Sequence, residues 1–336
     1  MQCFARLARF FRSFRFHLVL VFSIAMPTTG TLADYPERPV KFVVPYAAGG
    51  PTDFVARTVA KEFETALGKS FIVENKGGAN GIIGVETVVK AQADGYTLLF
   101  TVDSPLTVNP SLYDKISYEP GTDLVPVGTI ATLDRFVLAV HPSVQAASLK
   151  EFVAITKANP GTVTMANAGN ASPAHLVAVL FASKAGVTLT HVPYKGGAPA
   201  TGDLVGGQVA SMFVPATNAV TLAQAGKIRA LAVTGAGRFT ALPDVPTVGE
   251  AGLPQLHLNR GFWYGVFAPA QTPSKVIQVL SAALQSSVAQ STFLQTNLEK
   301  FGMQLFVSTP EELARLVQED RARWAEVIRA AGIKLN

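Results

Sequence analysis

Val40-Lys41-Phe42-Val43-Val44-Pro45-Tyr46-Ala47-Ala48-Gly49-Gly50-Pro51-Thr52-Asp53 is the stretch whose reading decides the fold. Its first five residues form a short apolar run of strand length. Its end opens a segment in which Val55, Val59, Phe63 and Leu67 recur every four residues on one helical face. The turn between strand and helix is rich in glycine, which lets backbone N–H groups converge on a ligand while the positive end of the helix points at the same spot. A carboxylate is held this way without a buried arginine. Candidate contacts are Tyr46, Ala48, Gly49, Gly50 and the Thr52 hydroxyl, with Asp53 placed to cap the helix or to receive a positive ligand group. An ordinary tight turn is the alternative reading of the same residues.

Outward from this turn the pattern repeats. A strand over 71–74 leads through Asn75-Lys76-Gly77-Gly78-Ala79-Asn80-Gly81 into a helix from 82 to about 91, and a strand follows over 97–101. Alternation of this kind predicts α/β sheets covered by helices. The stretch 103–126 carries four prolines and little periodicity, and reads as a long wrapping loop with room for short strands. A second block opens with a capping-box pair, Ser148 and Glu151, before a helix to 158. A strand over 163–166 then enters Asn167-Ala168-Gly169-Asn170-Ala171-Ser172, and Pro173 suits the first position of the next helix. Asn170, Ala171 and Ser172 are the candidate contacts of this second turn, which faces the first across a cleft if the two blocks are separate lobes.

Farther on, Phe262-Trp263-Tyr264-Gly265-Val266-Phe267 reads as a strand returning to the first block. Its side chains alternate, so one ring lines a cleft while its neighbour packs in a core. Two amphipathic helices close the chain over 273–289 and 310–331. Thr309, Pro310 and Glu312 start the second and Gly332 stops it. Its apolar face, which includes Leu313, Leu316 and Trp324, reads as core packing.

Residues 1–33 read as a secretory leader. Arg6, Arg9, Arg12 and Arg15 precede an apolar run over 18–26, too short to span a bilayer, and Thr31-Leu32-Ala33 suits cleavage before Asp34. Cleavage removes four of the 28 basic residues and none of the 23 acidic ones, so the mature chain is close to neutral. The calculated basicity is therefore a property of the leader, and no basic stripe points to nucleic acid. Cys3, the single cysteine, leaves with the leader, so neither a disulfide nor a cysteine metal site is expected. The expected product is exported and soluble. Its 303 residues are near the length at which chains divide, which favours two domains.

Chemistry other than binding finds little footing. Ser172 and His175 suggest an exported hydrolase, but no nucleophile elbow surrounds the serine. His141, His175, His191 and His257 are dispersed without close metal-ligand spacing. The 46–53 turn lacks both the phosphate-loop ending and the dinucleotide glycine spacing, so no nucleotide cofactor is called for.

Over essentially its whole mature length the chain resembles the Bug or TctC family of extracytoplasmic binding proteins for tripartite tricarboxylate transporters. The resemblance is carried by Asp53-Phe54-Val55-Ala56-Arg57, Ala93-Asp94-Gly95-Tyr96-Thr97-Leu98-Leu99, His191-Val192-Pro193-Tyr194-Lys195-Gly196-Gly197-Ala198-Pro199-Ala200, Asp203-Leu204-Val205-Gly206-Gly207-Gln208-Val209 and Trp263-Tyr264-Gly265-Val266-Phe267-Ala268-Pro269, in that order. It implies a periplasmic binding protein-like Venus-flytrap fold, with a first domain of 34–136 and 257–336 and a second of 137–256. It implies carboxylate capture between the 46–53 and 167–172 loops, with His175 behind the second, Asn75 and Asn80 beside the first, and Trp263 on the return segment. The chain departs from the family's usual phenylalanine at Tyr46 and from its more serine- and glycine-rich pattern at 167–172. The implied partners are a small carboxylate and membrane transporter subunits, or a sensor kinase for an orphan member. No enzyme activity is implied.

Overall fold

The computed structural model describes residues 35–332, apart from 236, 255, 257, 259, 260 and 301. The leader, Cys3 and His257 lie outside the described residues. Among the described residues, no helix is long and apolar enough to cross a membrane.

β1 (Val40–Val44) runs parallel between β2 (Phe71–Asn75) and β3 (Thr97–Val102). A central parallel strand is covered on both faces, which is why its sequence is apolar nearly throughout. Phe42 shows the result. It is fully buried, with the rings of Phe63, Phe71 and Phe100 at 5.5, 5.2 and 5.9 Å. Phe63 comes from α1 (Pro51–Leu67), whose Val55, Val59 and Phe63 are fully buried as their spacing requires. α2 (Ile82–Val89) makes the next crossover, from β2 to β3.

The stretch read as a loop holds three short helices, α3 (Ser104–Thr107), α4 (Asn109–Leu112) and α5 (Pro120–Asp123), each with a proline in its first two positions. Proline has no N–H to lose there and its φ is already helical, so residues that break a long helix start short ones. The last proline, Pro126, lies in β4 (Leu124–Leu133) beside an irregularity in its pairing with β10 (Phe262–Pro269). Bulges are where a strand tolerates proline.

After β4 only two residues separate Leu133 from β5 (Phe136–Val140), the first strand of a different sheet. That sheet contains β6 (Thr164–Asn167), β7 (Thr190–Pro193), β8 (Ser211–Pro215) and β9 (Arg229–Val233), in the order β7-β6-β8-β5-β9. Its helices are α6 (Leu149–Ala158), α7 (Pro173–Ala185), α8 (Gly197–Val205) and α9 (Ala216–Gln224). The Ser148 hydroxyl caps α6 by accepting from the Glu151 N–H. β10 then returns to the first sheet, whose order, with β11 (Gln304–Leu305) at its edge, is β11-β4-β10-β3-β1-β2, and lies antiparallel to β3 and β4.

The outgoing and returning chains touch where they cross. Thr234 Oγ1 donates to the Asp134 carbonyl at 2.5 Å and accepts from the Phe136 N–H at 2.8 Å. Gly261, with φ of 66°, passes so close that a Cβ there would lie 2.4 Å from the Leu133 oxygen. No other residue fits that crossing unchanged.

The C-terminal region contains more than the two expected helices. α10 (Ser274–Ala283) ends in a single π turn over Leu284–Val288, then come α11 (Thr292–Lys300), β11 (Gln304–Leu305) and α12 (Pro310–Ala331). The capping box of α12 forms in both directions, with Glu312 accepting from the Thr309 N–H and Thr309 accepting from the Glu312 N–H.

Candidate functional site

A cavity of about 1350 Å³ lies between the two sheets, and the N-cap residues of five helices are in its wall: Gly50 for α1, Gly81 for α2, Ser172 for α7, Gly196 for α8 and Pro215 for α9. Each helix start presents N–H groups that its own backbone cannot satisfy, together with the positive end of its dipole. None of the described side chains that line the cavity is charged. Its positive potential therefore comes from backbone.

The α1 end is open. Gly50 has an extended conformation and no side-chain cap bond, and the Thr52 and Asp53 N–H groups have no acceptor among the described residues. The turn is held in shape from behind. Asp53 turns away from the cavity: its Oδ2 accepts from the Gly49 N–H at 2.9 Å and from Arg57 Nε at 3.0 Å. Burial works to raise the Asp53 pKa, but the hydrogen bonds from Arg57, Gly49 and Asn75 outweigh it and hold the carboxyl below its ordinary value. Asn75 completes the brace, accepting from Arg57 and donating to the Tyr46 carbonyl at 3.1 Å. Asn80 is tied to Asn109 by two bonds of 2.8 and 3.0 Å.

The α7 end is organised differently. Ser172 Oγ accepts from the His175 N–H at 3.3 Å, and the Ala171 N–H, in a left-handed turn with φ of 60°, donates to His175 Nδ1 at 3.0 Å. The Gly169 N–H is spent on Asn167 Oδ1 and the Ser172 N–H on the Gly169 carbonyl. Burial, reinforced by nearby His191, pushes His175 down to about 4, so the ring is neutral and its Nδ1 is an acceptor at neutral pH. What this turn still offers the cavity is the Ser172 hydroxyl hydrogen, the Asn170 side chain and the Asn170 and Ala174 N–H groups, which have no acceptor among the described residues.

Of the thirteen residues read from the sequence as contacts, the cavity wall contains Tyr46, Ala48, Gly50, Thr52, Asn75, Asn80, Asn170, Ala171 and Ser172. The other four lie outside the wall. Gly49 and Asp53 bond to each other behind the turn, and His175 is buried beneath its loop. Trp263 is fully buried on the opposite face of β10 from Tyr264, donating to Asp320 Oδ2 at 2.8 Å. Tyr264 is the ring that reaches the cavity. Alternation said that one of these neighbours would line the cleft but left the parity open.

Burial raises the phenols of Tyr264 and Tyr46 above their ordinary value, and buried Asp103 adds to the effect on both. Both phenols stay neutral. Asp103 is fully buried behind Val102 and Ser104, and burial together with Asp320 pushes its carboxyl well up against the opposing pull of Arg323 and Ser104. The histidines called dispersed include one close pair, since the His175 and His191 rings meet edge to face at 4.9 Å. The bonds of Ser172 and His175 are those of a helix cap, with the ring nitrogen Nδ1 taken by a backbone N–H.

Sequence reading also missed Gly196, Gly197 and Ala198, Met303 and the Leu133–Phe136 crossing. The first group had a visible signal, a third glycine-rich strand-to-helix turn. The others had none.

Comparison with known proteins places this geometry. Residues 55–333 match the family model described as "Tripartite tricarboxylate transporter family receptor". The solved periplasmic binding protein BugD is 38% identical with a TM-score of 0.76, over 89% of this chain and 99% of that one. An R. palustris protein solved with adipate is 33% identical with a TM-score of 0.77, over 90% and 99%. MatC from Rhodopseudomonas palustris with bound malate is 33% identical with a TM-score of 0.75, over 88% and 100%. The two-sheet α/β architecture is that of the periplasmic binding proteins, the Venus-flytrap fold.

Proposed function

The chain belongs to the tripartite tricarboxylate transporter receptor family, and from that premise we propose that it captures a small carboxylate in the periplasm and delivers it to membrane transporter subunits without changing it chemically. The observation that carries this reading is the uncapped start of α1, where two N–H groups without acceptors open into a cavity lined by no described charged side chain. One carboxylate sits against Gly50, Thr52 and Asp53 backbone, aided by the Thr52 hydroxyl. The far end of the ligand meets Asn170, Ser172 and the 196–198 turn. The adipate and malate of the similar proteins support two polar ends.

Capture proceeds by closure. Residues 34–136 with 257–336 form one lobe and 137–256 the other, and the lobes approach about the paired crossings at Asp134–Phe136 and Thr234–Phe262. The braces on the first turn keep its N–H groups aligned before the ligand arrives, which lowers the ordering cost of binding. The mature protein loses its leader and works outside the cytoplasm.

The test is a thermal-shift screen of the mature chain against mono-, di- and tricarboxylates, with mass analysis of each hit. A ligand of the native state raises the melting temperature. No shift with any carboxylate, or conversion of a hit at catalytic rates, would refute the reading.

A further inference from the structure

We propose that Asp103, behind the cleft wall, is a positioning residue that makes capture pH-dependent: the cleft holds a carboxylate while Asp103 carries a proton and weakens as that proton is lost. The proposal rests on the carboxylate-capture reading above and adds a control to it.

The first observation is a buried cluster with two carboxyls and one guanidinium. Asp103, between β3 and α3, is fully buried, and Asp320 and Arg323 face it from α12. The guanidinium is already engaged. Arg323 pairs with Asp320 Oδ1 at 2.9 Å and donates to the Leu258 carbonyl at 3.4 Å, while Trp263 Nε1 donates to Asp320 Oδ2 at 2.8 Å. Asp103 Oδ1 accepts from the Ser104 hydroxyl at 3.3 Å, and its Oδ2 has no partner among the described residues. A buried carboxyl without an ion pair keeps its proton, because the charged form costs more than the neutral one. The charge count agrees, since one guanidinium neutralises one carboxylate of the two.

The second observation is where the cluster lies. Val102 and Ser104, on either side of Asp103 in the chain, are both in the cavity wall, and so are Tyr46 and Tyr264, whose phenols both feel its charge. Tyr264 meets the Thr52 side chain in turn, beside the free N–H groups at the start of α1. Asp320 and Arg323 from α12, Tyr46 from the first turn and Tyr264 from β10 thus surround a carboxyl set directly behind the capture turn. Its ionisation places a buried negative charge where screening is weak and a carboxylate ligand is due. By linkage, bound carboxylate strengthens the hold on the proton by the factor that proton loss weakens capture.

Infrared spectroscopy of the mature chain tests the proton without any ligand. Wild type is expected to show a protonated-carboxyl band at neutral pH that Asp103→Asn and the smaller Asp103→Ser lack. A carboxyl that stays protonated above the pH at which the unfolded chain ionises makes stability fall with rising pH over that window, so Asp103→Asn should melt no lower than wild type at neutral pH. A missing band, or an asparagine variant clearly destabilised at neutral pH, would overturn the proposal. Calorimetry with succinate, adipate and malate then tests the coupling. Unit charges about 10 Å apart at an effective dielectric constant of about 20 shift an equilibrium roughly tenfold. Between about pH 6 and about pH 10, wild-type affinity should therefore fall roughly tenfold as the band is lost, and the variants should lack this fall. Affinity that survives loss of the band, an equal fall in the variants, or a band that persists throughout the range would overturn the proposal while leaving carboxylate capture standing. Binding of none of the three acids at any pH would overturn both.

Discussion

Two strand-to-helix turns face the same cavity and read alike in the sequence, yet one keeps its helix-start donors free and the other spends part of them on its own side chains. At α1 the N-cap is Gly50, which has no side chain, and the turn's supports act from behind through Asp53, Arg57 and Asn75. At α7 the N-cap is Ser172 and the supports act on the donors themselves, through Ser172 Oγ and His175 Nδ1. The difference follows from the N-cap residue. Glycine has no side chain to take the first N–H groups of α1 and leaves them to solvent or a ligand, whereas the serine hydroxyl takes the His175 N–H at α7. The open turn is suited to capture and the closed one to orientation.

The largest effect should come from closing the open end. Gly50 has ordinary extended dihedrals, and a Cβ there meets only the Ala47 oxygen at 3.6 Å, so a side chain fits. Gly50→Asp places a carboxylate on the N–H groups reserved for the ligand. Two charge-assisted bonds are worth about 1.5 to 3 kcal/mol each, so carboxylate affinity should drop by about 100-fold or more. The melting temperature should hold or rise, since a capped and charge-complemented helix is gained. Undiminished binding in a folded Gly50→Asp protein would move the capture site away from α1.

The next effect belongs to the closed turn and appears as a pH dependence. His175 is depressed from 6.5 to about 4 by burial and by His191, so the folded state resists protonation where the unfolded chain accepts it. Stability from this group is complete above pH 6.5, falls as pH drops toward 4 and levels off below. The loss over that window is roughly 3 kcal/mol. Chemical denaturation between pH 7 and 4 measures it. His175→Asn, whose carbonyl can still accept from Ala171, should remove most of this slope, and an unchanged slope would assign it to other groups.

Ser172→Ala sharpens the contrast at smaller scale. It removes a cap, at a cost of about 1 kcal/mol in stability, and a hydroxyl donor worth about threefold to tenfold in affinity. Two-sided loss, seen by melting and calorimetry together, distinguishes it from Gly50→Asp, which separates the two. The smallest effect is expected for Ala171→Gly. Relief of a left-handed alanine, partly offset by a freer unfolded chain, should change stability by under about 1 kcal/mol in the stabilising direction. A clear destabilisation would mean that the methyl, 2% exposed, matters more for packing than its φ costs.

Much of the fold was legible because its signals are local. The apolar run of β1, the four-residue spacing on α1, Pro173 at the start of α7 and the capping box at Thr309 and Glu312 each involve neighbours in the chain. The 103–126 segment misled because proline's effect depends on where it falls in a helix, and four-residue helices leave no periodicity to find. Within the site, seven residues expected from the chemistry of glycine-rich turns lie in the cavity wall, together with Asn75 and Asn80, which the resemblance implied. Gly49, Asp53, His175 and Trp263 lie outside it, because which way a group faces depends on what packs behind it.

The sequence by itself determined where backbone donors would cluster, since a helix start exposes its N–H groups wherever it lies in the fold. Only the tertiary structure decided which of those donors stay free. Asp53 Oδ2 and His175 Nδ1 accept from residues only four positions away, but the brace from Asn75 to the Tyr46 carbonyl and the burial that keeps His175 neutral exist only in the folded chain. The parity of β10, with Trp263 inward on Asp320 and Tyr264 at the cavity, was settled by the same kind of contact.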